Sequence, residues 1–452
     1  MQCVFLLRRV RRLLVPSILP FLYLTPAFAE TEIEALRREV SEQRLLIEKM
    51  MSTLNVQKVQ ETKSVPAPVR AENSAKSSLP SVMPSVSLYG VADVDVSYSD
   101  SGFGGKTNIG SGGMAASRLG IKGEKQLSES IKAVYLMEAG VAVNTGVVGT
   151  GTVTPGVNNN VASSGGLTSG GTQFFSRQIY AGLKLPFGTI TAGRQYSGSY
   201  LASVSESTAL GAGLFGSSGT FLPVVASMPT RLNNSVVYVS PNISGFTTHL
   251  TLTTGVGNNS DNVVGTTSSS TTDRAGKGGD LALFYASGRL KTAVTFWKLK
   301  NTGFNPSLGE TGLASRKGFQ LGANYDLGFA KINASYVLGR IAGEGYENGT
   351  KSLSKVTGWS LSGGIPIARG TLLASFTRVD DKSFLIGKDT DLIGVAYTYK
   401  LFDATTLYGN WGKIINGSNA VYSLPNGGDL VGTVATPGFN PTGLMIGLNQ
   451  VF

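Results

Sequence analysis

FFSRQIYAGLKLPFGTITAGRQY, residues Phe174 to Tyr196, is the stretch on which the fold turns. Two strand-length segments meet at Leu185-Pro186-Phe187-Gly188, where Pro presets a turn φ and Gly supplies a φ > 0 position, the chemistry of an antiparallel hairpin. Beyond Tyr196 the chain runs through Gly- and Ser-rich sequence from Ser197 to Thr230, and RLNNSVVYVSP then resumes a strand pattern at Arg231. One end of the hairpin is a tight turn and the other a long excursion. A loop of that length inside a packed unit is more often functional than a mere connection.

Working outward from the hairpin, the same period of two extends from Ser85 to Phe452. In LYGVADVDVSY, Leu88, Val94, Val96 and Tyr98 share one face and Asp93, Asp95 and Ser97 the other. In FQLGANYD, Phe319, Leu321, Ala323 and Tyr325 oppose Gln320, Gly322, Asn324 and Asp326, and in AKINASYVLG, Ile332, Ala334, Tyr336 and Leu338 oppose Lys331, Asn333 and Ser335. The composition fits: 59 Gly, one His, one Cys and 15% charged residues, with no later apolar run approaching the ~20 residues of a membrane helix. A soluble sandwich also alternates, so the pattern alone does not decide. Connection lengths do. Short turns near Gln126, Pro186, Pro241, Ser287, Leu327, Ala368 and Phe402 take turns with long loops near Gly104, Val157, Leu210, Val264, Asn305, Gly345, Lys382 and Leu424. That asymmetry belongs to an outer-membrane barrel, as do aromatic residues at strand ends, here Tyr89, Tyr98, Tyr325, Tyr336, Tyr397, Tyr399, Tyr408 and Trp411. The expectation is an all-β fold, a 16-stranded antiparallel transmembrane β-barrel over residues 85–452. An even number of strands closes the sheet and leaves no edge in lipid. The excursion 197–230 is expected to fold into the channel and narrow it.

Three segments precede the barrel. Residues 1–29 read as a signal peptide, with Arg8, Arg9, Arg11 and Arg12 as the basic start, an apolar Leu13 to Leu24 and an Ala27-Phe28-Ala29 cleavage signature. Cleavage removes four arginines and no acids, taking the net charge from +11 to +7 (35 basic against 28 acidic), and it removes Cys3. The mature chain then has no thiol chemistry, and its basic residues do not cluster as nucleic-acid binding requires. Residues 30–61 read as a short periplasmic coiled coil. Ile33, Val40, Ile47 and Leu54 fall at a, Leu36, Gln43, Met50 and Gln57 at d, and Glu32 and Glu39 at g face Arg37 and Arg44 at e. An amphipathic helix lying on the protein or on a membrane is the alternative. Residues 62–84, with Pro66, Pro68, Pro80 and Pro84, read as a flexible linker.

The barrel sequence resembles the Gram-negative general diffusion porins. The resemblance rests on SVSLYGVADVDVSY, SRLGIKGEKQL, IKAVYLMEAG, FFSRQIYAGLKLPFGTITAGRQY, RLNNSVVYVSPNISGF and the terminal phenylalanine. It implies a homotrimer embedded in outer-membrane lipid, a third extracellular loop folded inward, and passive passage of small hydrophilic solutes and inorganic ions. The coiled coil departs from most members. So does Gln450, where many relatives carry an aromatic residue or His.

Parity points Arg118 and Lys122 into the lumen if Leu119 and Ile121 face outward, since reversal puts charge in lipid at about 2–4 kcal/mol each near midplane. Arg231 opens a strand whose Leu232, Val236 and Tyr238 are expected to point outward, so it too is expected in the lumen. Arg177 shares a face with Phe175, Ile179 and Ala181, a pattern suited to a subunit contact. The resemblance implies that Arg118, Arg177 and Arg231 form a basic wall opposite loop three, and Lys122, lumen-facing by parity, is expected to join them at the constriction. The loop usually carries acids there, but residues 197–230 hold only Glu206, with Glu138 as a further wall acid. Weak anion selectivity, screened by salt, is the expectation. Arg194 follows the parity of Ile190 and Ala192 and reads as a strut.

Other motifs carry no chemistry. GAGLFG (Gly211, Gly213, Gly216) matches G-x-G-x-x-G without the βαβ context that gives the pattern meaning. The single histidine, His249, has no companions for a metal site or an acid/base pair. No cofactor, no metal and no enzymatic activity are expected. A second reading makes the chain a structural tether, whose coiled coil holds a cell-wall or periplasmic partner while the barrel serves as anchor.

Overall fold

The computed structural model describes residues 85–149, 174–255, 277–302, 314–343, 354–382, 386–424 and 434–452. The signal peptide, coiled coil and linker, and with them Ile33, Leu36, Val40, Ile47, Met50 and Leu54, lie outside the described residues.

Alternating side chains give alternating exposure. In β1 (Ser85–Asp100) the carboxylates of Asp93 and Asp95 are buried inward while Leu88 and Val96 stand on the outer face, 64% and 55% exposed. The chain continues through β2 (Lys106–Ser111), β3 (Arg118–Gln126), β4 (Lys132–Gly140), β5 (Gln178–Leu185), β6 (Gly188–Tyr196), β7 (Arg231–Val239), β8 (Phe246–Thr253) and β9 (Gly278–Ser287). It completes the circuit with β10 (Leu290–Thr302), β11 (Ala314–Asp326), β12 (Lys331–Gly343), β13 (Ser354–Ile367), β14 (Gly370–Asp381), β15 (Thr390–Phe402), β16 (Thr405–Asn416) and β17 (Thr442–Val451). From β3 to β17 each strand pairs antiparallel with the next, and β17 returns to β1 from Val91↔Val451 to Asp100↔Thr442, so the sheet is closed. β2 and β3 are one stave interrupted at 112–117, pairing with the upper and lower parts of β1, which makes sixteen staves. Among the described residues no helix is long and apolar enough to cross a membrane; the strands do the crossing.

The interruption has a local cause. Gly112 takes φ +87°, and the Asp93 carboxylate accepts from the backbone N–H groups of Met114 and Ala115 at 3.3 and 3.1 Å. Chain that was expected in a long loop near Gly104 is spent here instead, since only residues 101–105 join β1 to β2. The hairpin turns form where Pro and Gly place them: Leu185 pairs with Gly188, whose φ is +140°.

Two of the expected girdle aromatics belong to the interior. Tyr89 donates to Glu138 and Tyr408 to Asp93, both at short range inside the barrel. Each occupies an inward register position, Tyr89 in line with Asp93 and Tyr408 in line with Asn410, and a buried carboxylate gives each phenol a partner. Tyr98, Tyr325, Tyr336 and Trp411 do stand exposed on the outer face.

Loop three, residues 197–230, lies inside the barrel and contains α1 (Gly198–Ser205) and α2 (Ser218–Val225). Its Leu210, Leu214, Phe215, Phe221, Leu222 and Met228 pack against Trp297, Val337, Val356, Val379, Leu392 and Ile414 of the wall in one buried apolar cluster. Removing that surface from lumen water drives the docking. Polar wall groups fix the register. Asp280 accepts from the Gly198 N–H at 2.7 Å and from Ser199, satisfying the orphan donors at the start of α1. Asn410 grips Phe215 through both its N–H and its C=O at 2.6 and 3.0 Å, and Arg316 donates to Ser227.

Candidate functional site

Residues of β3, β4, β6 and β7, with the segment before β5, face loop three across a shared cavity. A cavity of about 510 Å³ is bordered there by Arg118, Glu138, Arg177, Tyr196 and Arg231 on the wall, and by Tyr200, Leu201, Val204 and Val224 on the loop. Met114 to Ala116, pushed inward by the interrupted stave, complete the rim.

Each basic side chain arrives by a different local route. Arg118 reaches the lumen by alternation, with Leu119 exposed on the outer face beside it. Arg177 does not. It sits in a bend just before β5, so the apolar parity of Ile179 and Ala181 no longer governs it, and its guanidinium turns inward and is 6% exposed. Arg231 follows a third route. The β6–β7 register slips between Gly193 and Gln195, and Asn234 takes φ +48°. Leu232, expected on the outer face, is therefore fully buried opposite Gln195, while Arg231 still enters the lumen beside Tyr196.

The three guanidiniums are held together by two acceptors. Glu138 takes Arg177 Nε at 2.8 Å and lies 3.5 Å from Arg118 Nε, with the Tyr89 hydroxyl donating to it at 2.9 Å. The Tyr196 phenol oxygen accepts from Arg177 at 2.5 Å and from Arg231 at 2.6 Å, and the Arg231 guanidinium lies 4.4 Å from the Tyr196 ring centroid. Tyr200 stacks on Tyr196, centroids 5.3 Å apart. Burial pushes the Tyr200 phenol up to about 12, so it stays neutral. Among the described residues Arg231 Nε and Nη1 find no hydrogen-bond partner. Three cations against one carboxylate leave the cluster at a formal +2.

The two acids occupy different places. Glu138 is inside the basic wall, 4% exposed, and offsets it from within. Glu206 ends α1 beside Gly322, its backbone carbonyl accepting from Asn333, and does not border the cavity. Lys122 lies nearer the short-turn end, its Nζ 5.2 Å from the Tyr89 ring centroid, in a second cavity of about 880 Å³ that also includes His249 and Lys184. Arg194 pairs in register with Ile179 and donates to the Ser176 carbonyl at 2.7 Å and to Asn233, bracing neighbouring segments of chain. Among the described residues no three His, Cys, Asp or Glu side chains group as metal ligands.

Sequence reasoning missed Tyr196 as the organising acceptor, and Asp280 and Arg316 as anchors of the loop. For Asp280 a signal existed, a lone carboxylate at an inward strand position opposite a Ser-Gly-Ser helix start. For Tyr196 none did.

The family model of the Gram-negative porin matches residues 65–419. An outer membrane porin protein of Bordetella pertussis is 26% identical over 367 residues, covering 72% of this chain and 87% of its own length. Outer membrane porin protein 32 of Delftia acidovorans is 25% identical over 378 residues, covering 81% and 94%. The solved anion-selective porin from Comamonas acidovorans superposes with a TM-score of 0.63 at 22% identity, covering 82% of this chain and all of that one. A closed sixteen-stave barrel, an inward third loop and a family match across most of the length agree: the chain belongs to the Gram-negative porin family and resides in the outer membrane.

Proposed function

We propose that the barrel is a water-filled channel for passive diffusion of small hydrophilic solutes and ions, with a weak preference for anions. The observation that carries this reading is the formal +2 of Arg118, Arg177, Arg231 and Glu138 at the constriction, with no loop acid bordering the same cavity. A unit charge at 4 Å is worth about 1 kcal/mol in water and about 4 kcal/mol at an effective dielectric of 20. A wet pore lies near the lower figure, which gives a several-fold preference and not exclusion. That the Comamonas acidovorans structure is of an anion-selective porin supports the same reading. In a planar bilayer under a KCl gradient the reversal potential has the sign of anion preference and shrinks as salt rises toward molar. Replacing Arg118, Arg177 and Arg231 together by Ser leaves Glu138 alone and moves the potential to the cation side; a channel whose reversal potential ignores that triple change does not select as proposed.

The barrel associates as a homotrimer through its low side. Strands β3 to β8 have 8 or 9 residues, whereas β10 to β16 have 12 to 14. At ~3.3 Å per residue and ~45° tilt, the short strands climb about 20 Å, less than the ~25 Å apolar band of such barrels. Arg194, on the outer register of that side, fits a covered contact better than lipid. The heptads of residues 30–61 favour a second role, holding a cell-wall or periplasmic partner.

A further inference from the structure

Loop three presents an unusual surface to the basic wall. We infer, building on the channel reading above, that the constriction favours anions with an apolar body, aromatic or branched aliphatic monocarboxylates, over equally small hydrophilic anions. Beyond the arginines, the cavity lining includes Met114, Tyr200, Leu201, Val204, Val224 and Leu373, all half-buried, with Thr220 and Thr398 among the few polar side chains. Residues of the loop that border the cavity include no charged side chain. Facing them, Arg118 is the most open of the three guanidiniums, its side chain 28% exposed against 7% for Arg177, and Arg231 adds its field from behind.

A hydrophilic anion held at Arg118 presses its hydroxyl groups on this apolar surface and loses hydration without a new partner, which is unfavourable. A monocarboxylate with a ring or branched chain places its charge on the guanidinium and its apolar body on the loop, removing both surfaces from water. At about 510 Å³ the cavity falls in the range of small-molecule sites and has room for such a body. Met114 and Leu373 also pack against the Leu210, Phe215 and Phe221 group that docks the loop, whereas Tyr200, Leu201, Val204 and Val224 stand outside that group, so docking alone does not require these four.

Bi-ionic potentials across bilayers containing the full mature protein test the inference, with potassium benzoate on one side and potassium lactate on the other. Contact of one ring with a wet wall recovers only part of its burial free energy, so the expected permeability ratio is about threefold in favour of benzoate, although benzoate is the bulkier ion. Replacing Leu201 by Ser together with Val224 by Thr brings the ratio to that of the free-solution mobilities; retained heat-modifiable migration on a gel identifies variants that have folded. If lactate passes as readily as benzoate while KCl still shows anion preference, the apolar selectivity is overturned and the channel reading stands. Loss of anion preference in KCl itself overturns the channel's proposed selectivity and this inference with it. A folded double variant that keeps the threefold ratio also overturns it. If the double variant does not fold, the benzoate-to-lactate ratio of the unaltered protein decides.

Discussion

Glu138 is the residue on which the constriction charge balances. It takes Arg177 at 2.8 Å, lies 3.5 Å from Arg118 and accepts from Tyr89, so it neutralises one of three guanidiniums while holding two of them in place. Glu138→Gln keeps a carbonyl acceptor but removes the charge, raising the formal charge of the cluster from +2 to +3. The expected result is a reversal potential in a KCl gradient shifted further to the anion side by a few-fold in permeability ratio, since each unit charge is worth about 1 kcal/mol in a wet pore. The folded state should also lose about 3 kcal/mol, because a buried guanidinium is left without its counter-charge, which a denaturant series would show. How much of this was legible depended on the residue. Arg118 could be placed from Leu119 and Ile121 alone. Arg177 could not, because a bend before β5 breaks the parity, and Arg231 was placed by an expectation about Leu232 that the register slip at Gly193–Gln195 overturns. Period-two patterning assumes an unbroken pleat, and constriction residues sit where the pleat breaks.

Loop three behaves as a docked element, and its footprint is written in wall glycines. An added Cβ at Gly322, Gly339, Gly358, Gly394, Gly412 or Gly443 would meet loop residues Ser207, Ala226, Leu222, Gly216 or Phe215 at under 3 Å. These positions read as ordinary strand glycines in the sequence, and the boundaries of the loop were legible while its attachment was not, because attachment joins residues far apart in the chain. At Gly394 the contact is with loop backbone, which cannot swing aside: a Cβ would lie 2.6 Å from Gly216 Cα and 2.7 Å from the Phe215 carbonyl oxygen. Gly394→Ala is therefore expected to lift this part of the loop, at an overpacking cost of about 1–3 kcal/mol, and to make the open-channel current noisier in single-channel recordings. Gly409→Ala, whose Cβ meets nothing within 4 Å, is the matched control and leaves the trace quiet. Equal noise from both variants would mean that the glycine contact does not hold the loop.

At the scale of the whole molecule, barrel closure falls on residues from Ser85 onward, and the tethering proposed above would fall on residues 30–61. The first stave begins at Ser85, and the last, ending at Val451, returns to it through a continuous ladder from Val91↔Val451 to Asp100↔Thr442. Phe452 adds backbone hydrogen bonds in both directions with Gly90. Among the described residues, every stave, every anchor of loop three and every constriction side chain named above comes from Ser85 or later. A variant whose signal peptide is joined directly to residue 85 is therefore expected to insert, to associate through the low β3–β8 side and to conduct with the same reversal potential as the full mature chain. On the coiled-coil proposal, four heptads with Gln43 and Gln57 at d positions would be weak alone and would gain strength only when the barrels already hold the chains at high local concentration. The order of dependence thus runs from barrel to coiled coil, and sedimentation of detergent-solubilised protein should give the same oligomer with and without residues 30–84. What the deletion removes is co-purification with the cell-wall fraction. An oligomer that falls apart on deletion would reverse this order, making the helices the organising contact and the low wall a lipid-facing surface after all.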